Sequence, residues 1–230
     1  MIDNVRKVVH DFLEKDNRGW IQPERFNRYA YLAQIEIFES YFYEYNRWLN
    51  LQNKRMSNTG YSDIPKNIRE KLDRFQKDGV LTYDTDRFFA PADTYRVMEI
   101  YYNDNRIEET TKRRANLLNK SNLTAPSTSY PIYYKLEDEF VVLPATIIDS
   151  VEVNYIRIPA TPKWTYQMVS NNPVFNPSNG SYQDFEIHPS DEYKLVSKIL
   201  SYVGVSVREQ DIVQYAEGKQ QQQTVNENRA

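Results

Sequence analysis

The run PERFNRYAYLAQIEIFESYFYEYNRWLNLQ, residues 23–52, constrains the fold more than any other stretch. Its one proline stands first, where a missing N–H costs a helix nothing. No glycine or second proline interrupts it, so the spacing predicts one long helix. Phe26, Tyr29, Ala30, Ala33, Ile37, Tyr41 and Trp48 fall on one face. Tyr31, Ile35, Phe38, Phe42, Tyr45 and Leu49 fall on another. A surface helix of a monomer usually carries a single apolar stripe. The second stripe must therefore be covered, by the chain's own domain or by a neighbouring subunit. Tyr31, Ile35, Phe38, Phe42 and Tyr45 are the candidate subunit interface on this helix.

The elements around that helix follow from periodicity. Residues 3–15 place Val5, Val8, Val9, Phe12 and Leu13 on one helical stripe, ended by Asn17, Arg18 and Gly19. MSNTGYSD is a loop, IPKNIREKLDRFQ a short helix, and KDG its end. From Val80 the pattern alternates through LTYDTDRFFAP and TYRVMEIYYND, with NDN as a turn signal. TKRRANLLNKSNL is a helical insertion, and YPIYYKLEDEFVVLP and SVEVNYIRIP return to strand-like composition. Residues 161–183, rich in proline and asparagine, form an irregular connector. A helix over 189–203 is stopped by Gly204, and REQDIVQYAEGK makes a last short helix. The run QQQQTVNENRA is too polar to bury a core. Helices, then strands, then a helix define the segregated α+β class, with a central antiparallel sheet or sandwich and an extended polar tail. The expected segments are 1–79 helical, 80–188 β-rich with the connector, 189–218 helical and 219–230 tail, together one composite domain.

Chemistry is thin in this sequence. There is no cysteine, which removes disulfides, zinc–thiolate sites and thiol nucleophiles together. The two histidines have no metal-ligand spacing, the six glycines make no phosphate loop, and no GxSxG elbow occurs. Formal net charge is −3, without the basic excess of a general nucleic-acid binder. No apolar run approaches the ~20 residues of a membrane span, and MIDNVRKVVHDFLEK lacks a signal-peptide core. The densest acidic cluster is DFEIHPSDEY, residues 184–193. It reads as an edge strand with Asp184, Glu186 and His188 on its wet face. Pro189 ends it, Ser190 caps a helix, and Asp191 and Glu192 favour the helix dipole. The basic run Lys112, Arg113 and Arg114 is offset by Glu108 and Glu109, and reads as a solvated helix face. Trp164, Tyr166 and Phe175 read as packing of the connector onto the sheet. No catalytic residue, metal ligand, cofactor or small-molecule substrate is expected, and an enzyme is the weakest reading. The 19 tyrosines suit protein–protein contact instead, since Tyr pairs an apolar ring with a wet hydroxyl.

Five stretches occur in an order that resembles a known family. They are RGWIQPERFNRYAYLAQIEIFESYF, NLLNKSNLTAPSTSYPIYY, FVVLPATI, VNYIRIPATPKWTY, and DFEIHPSDEYKLVSKILSYVGVSV with the glutamine-rich tail. Together they span most of residues 15–223 and resemble the virion connector or ring proteins of crAss-like tailed bacteriophages. Gln22 departs from the Ser-type cap expected before Pro23, which bears on a cap and not on function. The resemblance implies a structural protein of the virion neck, assembled in the host cytoplasm. Copies form a homo-oligomeric ring, commonly twelvefold, between the portal protein and adjacent tail or ring proteins, around the channel for double-stranded DNA. Gln220, Gln221, Gln222 and Gln223 then join the candidate interface, because a polar tail suits lying along a neighbour. Twelve copies at −3 each carry about −36, so DNA slides past without specific binding. Two other readings stand beside this one: a tail accessory protein binding host glycan through Trp164 and the tyrosines, and a nucleic-acid module using Arg113 and Arg114.

Overall fold

A computed structural model describes residues 1–15, 20–55, 64–137 and 139–207. The fold is α+β, as the order of patterns predicts. It divides into two compact units, one from residues 1–74 and 159–230, the other from 75–158. The sequence segments 1–79, 80–188 and 189–218 cut the chain elsewhere. In the structure the connector and the last helix join the N-terminal helices in a single unit.

The first unit is helical. Its helices are α1 (Ile2–Lys15), α2 (Pro23–Arg55), α3 (Ile64–Asp73) and α5 (Glu192–Val207), preceded by a 3₁₀ turn, Pro189–Asp191. Helix α5 packs on α1 and α2, and α3 packs on α2. Helix α1 buries Ile2, Val5, Val9 and Leu13, while Val8 and Phe12 stay 36% and 42% exposed. The sequence stripe was therefore rotated: Arg6 and His10, both buried, complete the inner face in their place. Helix α2 buries Phe26, Ala30, Ala33, Ile37 and Tyr41 as expected. Helix α5 runs three residues past Gly204, since one glycine costs a helix interior only about 1 kcal/mol.

The connector is not irregular throughout. Tyr166–Val169 and Asn172–Phe175 form an antiparallel hairpin, numbered β10 and β11 below. Ser170 and Asn171 turn it with φ of 47° and 67°, the paired left-handed residues of a tight hairpin. The rest of 159–188 has little backbone pairing and is held by side chains. Asn27 donates from Nδ2 to the Trp164 carbonyl (3.2 Å) and accepts the Trp164 N–H (2.9 Å). Gln34 donates to the Ala160 carbonyl at 2.8 Å and accepts the Glu186 N–H at 3.1 Å. Buried backbone groups outside ladders need such partners, so these two amides of α2 set the path of the segment.

The second unit is a two-sheet structure with one helix. Its strands are β1 (Gln76–Val80), β2 (Thr82–Asp84), β3 (Arg87–Phe89), β4 (Thr94–Tyr102), β5 (Asn105–Arg106), β6 (Glu108–Glu109), β7 (Ile132–Leu136), β8 (Glu139–Leu143) and β9 (Val151–Arg157). One sheet has the order β1-β9-β4-β5, the other β2-β3-β8-β7-β6. Ile100, Val151, Val153 and Tyr155 of the first share a core with Phe88, Tyr133, Phe140 and Val142 of the second. The expected KDG helix stop lies instead inside β1, where Asp78 pairs with Asn154 and Gly79 with Val153. Helix α4 (Lys112–Asn119) is the expected insertion. It crosses between β6 and β7, which pair in parallel, as a helical crossover permits. That pair is the exception to the antiparallel expectation.

Candidate functional site

The stretch 184–193 contains no strand; it has no ladder partner and bends at Ile187 before the 3₁₀ turn. Asp184 and Glu186 act on the backbone. Asp184 Oδ1 accepts the Ile2 N–H (2.7 Å) and the Phe185 N–H (2.8 Å). Glu186 Oε2 accepts the Ala160 N–H at 2.7 Å. The cap is His188 and not Ser190: its Nδ1 accepts the Ser190 N–H at 3.2 Å. Asp191 departs furthest from expectation. It is 2% exposed and lies among Tyr41, Lys71 and Lys194, with Oδ2 2.7 Å from both the Tyr41 hydroxyl and Lys71 Nζ, and Oδ1 3.4 Å from Lys194 Nζ. Burial opposes its charge. The Lys71 and Tyr41 hydrogen bonds and the two ammonium charges outweigh burial and hold the carboxyl below its usual range. Burial and the Asp191 charge push the Tyr41 hydroxyl far upward. The acidic stretch is thus a structural junction, built by residues from α2, α3 and α5.

Trp164 is equally structural. It is 2% exposed, with the Arg6 guanidinium 3.7 Å from its ring centroid and Nε1 donating to Asp3 at 3.0 Å. Tyr166 and Phe175 stack on it at 5.7 and 5.8 Å. Trp164 packs between α1 and the β10–β11 hairpin that carries Tyr166 and Phe175, all within the first unit. A glycan cannot reach Trp164 where it lies.

The helix face proposed as an interface divides. Phe38 is 1% exposed and packs edge-on to Phe42 at 5.2 Å, so it belongs to the chain's own core. Ile35, Phe42 and Tyr45 are half-buried, and Tyr31 is 37% exposed. Leu32 at 48% and Tyr43 at 70% are more exposed and were not on the predicted stripe. Leu49 and Gln220 to Gln223 lie outside the residues whose side chains are described, as does the predicted helix REQDIVQYAEGK.

On the second unit, Lys112, Arg113 and Arg114 are exposed in the first turn of α4, capped by Thr111. Arg114 lies 3.8 Å from Glu108, and Arg106 lies 3.5 Å from Glu99, so acids partly offset the run. Among the described residues, no group of three His, Asp or Glu side chains is placed to hold a metal ion, and no helix is long and apolar enough to cross a membrane.

A groove of about 550 Å³ opens where α2 begins, beside the β10–β11 hairpin. Trp20, Gln22, Glu24, Tyr166, Asn171 and Asn172 contribute to its lining. Sequence reasoning misses it because the proline- and asparagine-rich connector reads as irregular. The available signal was SNN between two β-like runs, a turn that projects amides. No protein-family model matches the chain, and no curated protein matches it.

Proposed function

We propose that the chain is a structural subunit of a tailed-phage virion neck, one copy of a closed homo-oligomeric ring, commonly twelvefold. The ring would sit between the portal and adjacent tail or ring proteins, with double-stranded DNA passing non-specifically through it. The ordered resemblance of five stretches suggests this reading. The observation that carries it on the structure is the outward side of α2. With its inner face already filled, this helix still exposes Tyr31, Leu32 and Tyr43. Where such side chains join into one apolar patch, they mark an association surface. A ring needs a heterologous contact, in which this face meets a different face of the next copy.

The chemistry supports an assembly role over catalysis. The deeply buried carboxylate among the described residues, Asp191, is saturated by its lysine and tyrosine partners. The test is direct: measure the mass of the purified chain by light scattering and image particles by electron microscopy. A closed ring in solution, or a defined ring of copies in the neck of virions, is the expected result. A strictly monomeric chain absent from virions overturns the proposal.

A further inference from the structure

We propose that the groove between the start of α2 and the β10–β11 hairpin binds a short neutral saccharide. The site lies within one unit of one chain, so it does not rest on the ring reading.

Three properties of the groove point to this ligand class. The first is its pair of aromatic rings. Trp20 is 54% exposed and Tyr166 is 36% exposed, and both line the groove. A pyranose ring has a face of C–H groups that packs on an aromatic surface while its hydroxyls stay wet. Met168, Pro23 and Pro173 add apolar surface to the lining. The second is the polar set. Gln22, Asn171 and Asn172 supply amides, each able to donate and accept, and Glu24 supplies an acceptor. Vicinal hydroxyls, which also donate and accept, match that set. The third is charge. Among the described residues, the lining holds one carboxylate, Glu24, and neither lysine nor arginine. The Glu24 carboxylate repels phosphates, sulfates and uronates. The volume falls within the ~300–1,000 Å³ typical of small-ligand sites.

The aromatic platforms are held from behind. Tyr166 stacks on Trp164, with 19° between the ring planes, and Trp164 is fixed by Arg6, Asp3 and Asn27. Trp20 leans on His10, a buried residue of α1, with ring centroids 6.3 Å apart. The Ser170–Asn171 turn sets the base of the amides. A site whose contact groups are fixed before binding loses less entropy on binding. Two other occupants fit less well. An added peptide strand needs consecutive backbone donors, and Pro173 removes one from β11. A second copy needs a continuous apolar patch, and here amides break up the apolar wall.

The experiment uses the full chain. A glycan array carrying neutral and acidic oligosaccharides selects the best neutral hit, which is then titrated by calorimetry. Trp20→Ala and Tyr166→Ala should each weaken it at least tenfold, and Asn172→Ala several-fold. Trp20→Phe, which keeps a ring, should stay within about threefold. Val174→Ala is the control. Val174 stands 44% exposed on the same hairpin but does not line the groove, so binding should be unchanged. Thermal unfolding of every variant separates loss of binding from loss of fold. Three results overturn the proposal: no neutral oligosaccharide bound at millimolar concentration, preference for acidic glycans or peptides, or undiminished binding in the folded Trp20→Ala and Tyr166→Ala variants.

Discussion

The Tyr41 hydroxyl donates to Asp191 Oδ2 across 2.7 Å, joining residues 150 positions apart. Lys71 reaches the same oxygen at 2.7 Å, and Lys194 approaches the other at 3.4 Å while lying 3.8 Å from Glu44. One carboxylate thus ties α2, α3 and α5 together at a site closed to solvent. Its position in a first helical turn suggests only a surface dipole contact, worth about 0.3–1 kcal/mol. The observed burial makes it a keystone of the helical unit.

Asp191→Ala should therefore destabilise the first unit by about 3–5 kcal/mol, the range for breaking a buried ion pair from one side. It leaves two lysines largely out of water and a buried hydroxyl without its acceptor. Tyr41→Phe removes only one neutral donor to a charged acceptor and should cost about 1.5–3 kcal/mol. Urea unfolding followed by far-UV circular dichroism measures both. An Asp191→Ala midpoint equal to wild type would show that the cluster adds nothing.

Acid should weaken the helical unit in two steps. His10 is buried beside Arg6, and among the described residues its Nε2 has no hydrogen-bond partner. Burial first, then the Arg6 charge, lowers its pKa below 6.5, against smaller opposing effects of Glu14 and Asp11. The folded state then holds the proton less well than the unfolded state. Stability should fall as pH drops below about 6.5 and level off once pH is under the folded value. The Asp191 pKa is lowered from 3.8, so its contribution is present above that value and lost as pH falls through the folded one. His10→Leu should remove the first step and spare the second. Unfolding midpoints collected from pH 8 to pH 2 test this, and a first step that persists in His10→Leu would refute the assignment.

Gly79→Ala should cost about 1–3 kcal/mol, while Gly180→Ala should be neutral or slightly stabilising. A methyl at position 79 meets Tyr155 Cε1 at 3.1 Å and Pro91 Cγ at 3.4 Å. Tyr155 is 1% exposed and donates to Asp93 at 2.9 Å, so it has little room to yield. A methyl at 180 meets nothing within 4 Å, and alanine restricts the unfolded chain more than glycine does. Thermal melts of the two variants, compared side by side, give the answer.

These positions also show what the sequence can and cannot carry. The long helix was legible because Phe26, Ala30, Ala33, Ile37 and Tyr41 repeat at helical spacing, and all are buried. The NDN turn was legible for a similar local reason: Asn103 and Asp104 adopt φ of 49° and 61°. What failed was decided by distant partners. Lys77, Asp78 and Gly79 look like a helix stop, but β9 recruits them into a strand across about 75 residues. Arg6 and His10 look like outward residues, yet Trp164 and Trp20 cover them. Asp191 looks like a dipole residue until Lys71 and Tyr41 close over it. The groove stayed hidden for the same reason, because its two walls come from residues 20–24 and 166–173.

Tyr43→Asp should leave the chain folded and weaken assembly of the proposed ring, whereas Tyr41→Asp should unfold it. The two tyrosines are two positions apart on α2 and face opposite ways. Tyr41 is 0% exposed, and a carboxylate there would stand against Asp191, adding repulsion to desolvation. Tyr43 is 70% exposed, so an aspartate costs the isolated subunit little. In a ring that buries this face, the same aspartate would be desolvated at every subunit contact. The penalty then repeats around the circle, and a closed ring should give way to monomers or short arcs. Circular dichroism reports the fold, and light scattering reports the assembly. A Tyr43→Asp, Tyr31→Asp double variant that still forms complete rings would place the subunit contact elsewhere on the molecule.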